Sequence, residues 1–567
     1  MFLRSASVLI CILVQVGVCL ASGATTMPVE RVAGPHLVEV LDYVRTAIGF
    51  DALNRIHAME AVGTFDSWDR NKDAKEPSNV RGECRLTFTP QGLFRFVSTT
   101  GATSLQGFDG TRQWFMGYSG AAYAYDDPSS LLACWTVTGC WLSLIDELSL
   151  PLVDSKMHKD RIILQIGLNR NQAKRWMIVD RRTWLPNALC PVGHAETPEW
   201  EFKDYRRRMG VLFPSQIIRY TTDSSSHPTP ESTINIDQIT EAGSVDQSLY
   251  AMPEPLDNVR FQKGSTPDVR CKLADGGPLL VTATLDGKKP RWFVFDSGTN
   301  VLGLDQSVLD EIDSQAVDEI GGLISGLPAH AKTVRFQKLK IGPMTIARPI
   351  FWSLPMNVIR FMIDKDIDGV IGYDVFRRSI VELDAAKPSV RLYDPALYDG
   401  KGLDWRPFRY ASNKLIHVLC RFEGNHEGYF LIDTGSNCGV SIRTETFRSL
   451  GFKINEKHSH QQFNLGGATF SRSSDKTKLA WFEIGGHRLT DLEVSLDDHV
   501  EHYVGVNNIG AVGLAILSQF DVVFDYPNMR MAFVSKKEKQ PAQTEAPAAA
   551  ADGLTEHGKA QTGLKKQ

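Results

Sequence analysis

No CxxC pair and no HExxH segment occurs in the 567 residues, which removes two common spacings by which a chain signals bound zinc. No metal and no other cofactor is expected. Net charge is scarce as well: 62 Lys and Arg stand against 66 Asp and Glu, a formal −4, and such a balance gives no electrostatic reason to expect nucleic acid as a partner. Past the first two dozen residues no apolar run reaches the roughly 20 residues that cross a bilayer. Cysteine is sparse and, past Cys19, odd in number: Cys84, Cys134, Cys140, Cys190, Cys271, Cys420 and Cys438. An odd set cannot pair completely within the chain. Cys134 and Cys140, in CWTVTGC, are spaced for a small disulfide loop in an oxidising compartment.

What is present begins with a leader. Arg4, an apolar run from Val8 to Leu20 and the small residues Ala21 to Ala24 form the layout of a secretory signal. Residues 1–24 are therefore expected to be removed and the product exported, to the periplasm or beyond the cell. The remaining length is enough for several cores. Residues 28–256 read as one domain, 267–395 and 402–536 as two further units, and 537–567 as a disordered tail of Ala, Gln, Lys, Glu and Pro with little apolar bulk. Around Pro253 to Pro267 apolar periodicity lapses, as in a linker.

The fold class is mainly β. In the first domain one helix is predicted over His36 to Ile48, where Leu37, Val40, Leu41, Val44 and Ile48 recur at helical spacing. Alternating stretches such as Arg161–Leu168, Arg175–Val179 and Leu212–Thr221, with a turn signal at Asp109-Gly110, predict a long antiparallel sheet.

The second half repeats itself. Residues 291–300, RWFVFDSGTN, align with 428–437, GYFLIDTGSN, and superpose Asp296 on Asp433. Downstream, GVIGYDVF at 369–376 is answered by GAVGLAIL at 510–517, and each copy then runs into two further apolar strands. A single Asp-[Ser/Thr]-Gly is expected roughly 0.3 times by chance in a chain of this length at average usage. Two copies with matching surroundings form a repeat, and repeats decide architecture. In each unit short helices are expected at Ser307–Ile312 and Thr444–Leu450, and a hairpin is expected to turn at Asp286-Gly287, between Leu279–Leu285 and Trp292–Phe295.

Two carboxylates brought within a few ångström cannot both ionise cheaply, so one pKa rises and the pair holds a single proton. That state performs general acid–base catalysis on a water between the acids, without metal or covalent intermediate. Asp296 and Asp433 are the candidate catalytic pair. Gly298 and Gly435 leave room for the partner unit. Ser297 and Thr434 carry hydroxyls able to fix the carboxylates across the interface, and Thr299 and Ser436 either support them or face solvent at the turn.

VFDSGTN and LIDTGSN, followed by VIG and AVG, resemble the two-lobed aspartic peptidases and, in unit size, the retropepsin-like aspartic proteases. The resemblance spans about residues 267–536. It implies two tandem acid-protease-like β lobes, peptide or protein substrates, hydrolysis in an extended cleft formed within one chain (a monomer suffices), and a hairpin flap, for which Gly321–Ala331 and Phe463–Ala468 are the candidate regions. Asp296 lies in Asp-Ser-Gly where the family more often has Asp-Thr-Gly. The first domain, through Phe108-Asp-Gly110, Val179–Pro186 and Glu201–Tyr205, resembles periplasmic lipoprotein-carrier domains with a curved half-barrel sheet. The competing expectation is a non-catalytic envelope protein that binds peptides or lipoproteins on idle lobes.

Overall fold

The computed structural model describes residues 35–536 apart from short stretches, the longest of them 69–78, 357–366 and 498–507. The leader and the tail expected from the sequence lie outside the described residues. Among the described residues the strands gather into sheets of 13, 11 and 13 strands, and the protein is mainly β.

The first sheet runs from Ala58 to Ala242 as a meander in which sequence neighbours pair, closed by Ala58–Trp68 lying antiparallel to Pro228–Ala242. Its strands fall where alternation placed them: Arg161–Gly167, Lys174–Asp180 and Val211–Thr222. Asp109 closes its turn by accepting from the Thr111 and Arg112 amides, both at 2.8 Å. The opening helix, Pro35–Ile48, buries Val40, Leu41, Val44 and Ile48 against this sheet.

Two more helices cover the same core, Pro128–Thr138 and Trp141–Glu147. They occupy the region expected to be a disulfide loop. The first carries buried residues around most of its circumference, Leu131, Leu132, Ala133, Trp135, Thr136, Val137 and Thr138. A helix buried on nearly all sides has no amphipathic stripe to read. Its threonines bond back to the preceding turn, Thr136 Oγ1 to Leu132 O at 2.7 Å and Thr138 Oγ1 to Cys134 O at 2.9 Å, so buried hydroxyls are satisfied locally. The expected Cys134–Cys140 bond is not formed; both are free thiols, and Cys140 Sγ instead lies 2.9 Å from Thr138 Oγ1.

The repeat in sequence is a repeat in topology. In the first lobe the strands run Leu279–Leu285, Arg291–Phe295, Ile367–Ile371, Leu302–Asp305, Ile350–Leu354, Leu327–Arg335 and Gln315–Ile324 across the sheet. In the second they run Ile416–Phe422, His426–Asp433, Asn508–Gly513, Val440–Arg443, His487–Asp497, Ala468–Ile484 and His458–Leu465, the same order with the same two parallel pairings. Short helices follow corresponding strands, Gln306–Glu311 and Thr444–Ser449. Two details differ from expectation. Ala283 pairs with Arg291, so the Asp286-Gly287 turn (φ 50° and 73°) sits inside a longer connection whose Leu285 pairs with Leu339. The expected linker contributes a strand, Val259–Phe261, paired with Met344–Ala347.

An antiparallel layer ties the lobes together. Ile380–Asp384 of the first pairs with Phe520–Asp525 of the second, flanked by Ser389–Tyr393 on one side and by Arg530–Ser535 and then Trp405–Tyr410 on the other. Its apolar side chains join both lobes in one buried cluster, from Leu279 to Phe533.

Candidate active site

Each carboxylate ends a strand that is buried on both faces. Phe293 and Phe295 face one core, Val294 another, and Asp296 follows; Phe430, Leu431 and Ile432 precede Asp433. Such strands read as unbroken apolar runs, and they leave the loop little freedom. A parallel neighbour backs each one: the Asp296 amide donates to Ile371 O at 2.9 Å, and Asp433 is in register with Gly513. The VIG and AVG elements singled out in the sequence are the ends of these neighbours.

The two loops meet. Ser297 Oγ donates to Ile432 O at 2.8 Å and accepts from the Thr434 amide at 3.1 Å. Thr434 Oγ1 reciprocates, donating to Phe295 O and accepting from the Ser297 amide, both at 2.8 Å. Four hydrogen bonds thus cross between the lobes through two hydroxyls. The Gly298 amide donates to Asp296 Oδ1 at 2.6 Å and the Gly435 amide to Asp433 Oδ1 at 2.9 Å; Gly435 also reaches Asp296 Oδ1 at 3.2 Å. The carboxyls are fully buried and within hydrogen-bonding reach of each other. Burial, and then the neighbouring Asp433 charge, hold the Asp296 carboxyl well above the usual carboxylate range, outweighing the Gly298 and Gly435 amides that pull it down.

Both lobes match the aspartyl protease family. The family's sequence model covers residues 281–375 and again 418–513, one match per lobe and less than half of the chain in all. No curated protein sequence matches. Among solved structures, similarity is recorded to an aspartic proteinase from Irpex lacteus (13% identity, TM-score 0.30, 48% of this chain and 97% of that one) and to a LolA superfamily protein from Nitrosomonas europaea (10% identity, TM-score 0.25, 38% and 96%).

In these protease-like lobes Thr299 and Ser436 are buried, which removes the solvent-facing alternative for both. The Thr299 amide bonds Asp296 O at 3.4 Å, its carbonyl accepts from the Tyr373 amide at 3.1 Å, and the Ser436 carbonyl correspondingly accepts from the Leu514 amide at 2.7 Å. They fasten each loop to the helix after the backing strand. The candidate flap regions lie in hairpins, Gln315–Ile324 with Leu327–Arg335 and His458–Leu465 with Ala468–Ile484; their tips, 325–326 and 466–467, lie outside the described residues.

Sequence reasoning missed the tyrosines beneath the pair. Tyr373, Tyr410 and Tyr526 are buried and in mutual ring contact at 5.8–6.4 Å. Burial first, and then the charge of Asp296, push the Tyr526 hydroxyl well above its ordinary value, with Tyr373 and Asp433 adding to it. His417, opposite Leu431 in the strand pairing, is pushed down to about 3 by burial and by Arg409. Among the described residues no group of three or more His, Cys, Asp or Glu is arranged to hold a metal ion.

Proposed function

We infer that this protein is an aspartic-type endopeptidase that hydrolyses peptide bonds with Asp296 and Asp433 as its catalytic pair. The observation that carries the reading is the contact of two fully buried carboxyls, one from each repeat, with that of Asp296 held well above the usual carboxylate range by burial and by Asp433. Such a pair shares one proton, and the chemistry follows from that. The ionised partner takes a proton from water as the water oxygen adds to the peptide carbonyl carbon, and the protonated partner gives its proton to the carbonyl oxygen. In collapse of the tetrahedral adduct the C–N bond breaks as one acid gives its proton to the leaving amine, while a hydroxyl of the adduct returns a proton to the other acid as the carbonyl re-forms, which restores the shared proton. The four crossing hydrogen bonds keep both acids at a fixed separation, so little reorganisation is needed during the reaction. Substrates are peptides or unfolded proteins. An exported location remains part of the reading, carried by residues 1–24 of the sequence.

The test uses an unfolded protein substrate at acid pH. Asp296→Asn and Asp433→Asn should each lower kcat by at least about a thousandfold, consistent with loss of a group on which general acid–base catalysis depends, while circular dichroism stays unchanged. Wild-type cleavage by both variants would end the proposal. Tight peptide binding with no turnover by the wild-type protein would favour idle binding lobes instead.

A further inference from the structure

The N-terminal sheet reaches into the core that supports the two carboxyls. Its edge strand, Ala122–Tyr125, lies along Trp405–Tyr410 of the second lobe, and Tyr123 is buried there as a member of the lobes' apolar cluster. The Tyr123 ring meets Tyr373 of the first lobe edge-on at 5.5 Å and Tyr410 of the second at 5.4 Å, and these two meet each other at 5.9 Å. Three rings, one from each part of the chain, therefore close on one point. Around them, Arg377 Nε donates to Ala122 O at 3.1 Å, and Lys414 Nζ lies over both Phe115 and Tyr373, at 5.8 and 5.3 Å from the ring centres. Farther along the same sheet, Asn79–Phe88 touches Gln315–Ile324 of the first lobe's hairpin.

Both lobe tyrosines lead to the carboxyl loops. The Tyr373 amide holds Thr299 O, and the Thr299 amide holds Asp296 O. Tyr410 Oη donates to Tyr526 O at 3.2 Å, and Tyr526 is close enough to feel the charges of Asp296 and Asp433. A ring packed edge-on against both Tyr373 and Tyr410, which also touch each other, thus braces the two supports on which the acids rest.

We propose that Tyr123 is a positioning residue for the Asp296–Asp433 pair, so that the N-terminal sheet is a built-in part of the active unit. The inference rests on the proposed peptidase activity. Aromatic pairs of this geometry have a preferred orientation as well as buried area, and loss of the ring lets the two supports relax toward the space it leaves. Misplacement of catalytic groups by a fraction of an ångström lowers turnover more than substrate binding.

The experiment compares full-length variants for kcat and KM on one unfolded protein substrate. Tyr123→Phe keeps the ring and should stay within twofold of wild type in both constants. Tyr123→Leu fills much of the volume, so folding is preserved, but lacks the edge contacts; kcat should fall at least fivefold with KM within twofold. Tyr123→Ala should fall at least tenfold in kcat. Ile162→Val, in the N-terminal core away from the lobes, should leave kcat unchanged. Wild-type kcat for Tyr123→Leu, or an equal loss in Ile162→Val, overturns the proposal. Asp296→Asn in the same series separates the two levels of the argument. If it abolishes turnover while Tyr123→Leu does not alter it, only the positioning role falls; if Asp296→Asn itself turns over normally, the peptidase reading falls beneath it.

Discussion

A methyl group on residue 435 would sit 2.4 Å from the Asp296 carboxyl carbon, and one on residue 298 would sit 2.7 Å from that of Asp433. Each glycine is thus required by the acid of the opposite lobe. Gly435→Ala should lower kcat at least about a hundredfold, as expected when catalytic groups are displaced by about an ångström, and cost roughly 1–3 kcal/mol of stability as overpacking does. Steady-state kinetics and urea unfolding check both; an alanine variant with wild-type turnover would show that the loops do not meet as described. The raised Asp296 carboxyl makes a second prediction. Below about pH 4 an unfolded aspartate is protonated, so native and unfolded chains bind this proton alike. Above that pH the unfolded chain releases it while the native chain, whose Asp296 carboxyl is held high by burial and by Asp433, keeps it. Stability therefore falls as pH rises toward the native value. Asp296→Asn removes the titration, so the variant should gain on the wild type above about pH 4, by at most about 1.4 kcal/mol per pH unit. A difference that stays level between pH 4 and 7 would contradict a shared proton.

The loop containing each acid is an element in its own right, fastened by one hydroxyl that both donates and accepts. Removing Ser297 Oγ strands the Thr434 amide and the Ile432 carbonyl; removing Thr434 Oγ1 strands the Ser297 amide and the Phe295 carbonyl. Each buried orphan costs about 1–3 kcal/mol, so Ser297→Ala and Thr434→Ala should each lose that much in denaturant titrations. The double variant should lose less than the sum, because the four bonds form one network; strict additivity would mean the hydroxyls act independently. These loops were legible in the sequence because the same Asp-[Ser/Thr]-Gly segment occurs twice with matching surroundings, and duplication leaves a pattern that self-comparison finds. The two lobes' strand order followed from that duplication. The helix Pro128–Thr138 was not legible, since apolar residues on all sides carry no period and its Trp, Thr and Val favour strands. Nor were the tyrosines: positions 123, 373, 410 and 526 are too far apart in sequence to suggest contact, and each alone reads as ordinary core. Burial of Thr299 and Ser436 escaped for a related reason, because a hydroxyl after Asp-[Ser/Thr]-Gly suits an exposed turn as well as a buried support.

At the scale of the whole molecule, the question is whether two half-sites need two chains. Here both acids belong to one chain, and three separate features oppose parting of the lobes: the antiparallel layer from Ser389–Tyr393 to Trp405–Tyr410, the hydroxyl bonds at the carboxyls, and the packing of Tyr123 on a tyrosine of each lobe. The layer alone pairs Ile380–Asp384 along its full length with Phe520–Asp525, Ile380 opposite Asp525 and Asp384 opposite Asp521, with Val381, Leu383, Val522 and Phe524 buried. An intramolecular interface of this kind has an effective concentration that does not depend on how dilute the protein is. Specific activity should accordingly stay constant over a thousandfold dilution into the nanomolar range, measured as initial rate per enzyme with substrate held fixed. A site assembled between copies would behave otherwise, losing activity steeply once the concentration dropped below the dissociation constant of the pair. Such a loss, reversed on reconcentration, would mean that the working partner of Asp296 is the Asp433 of another molecule.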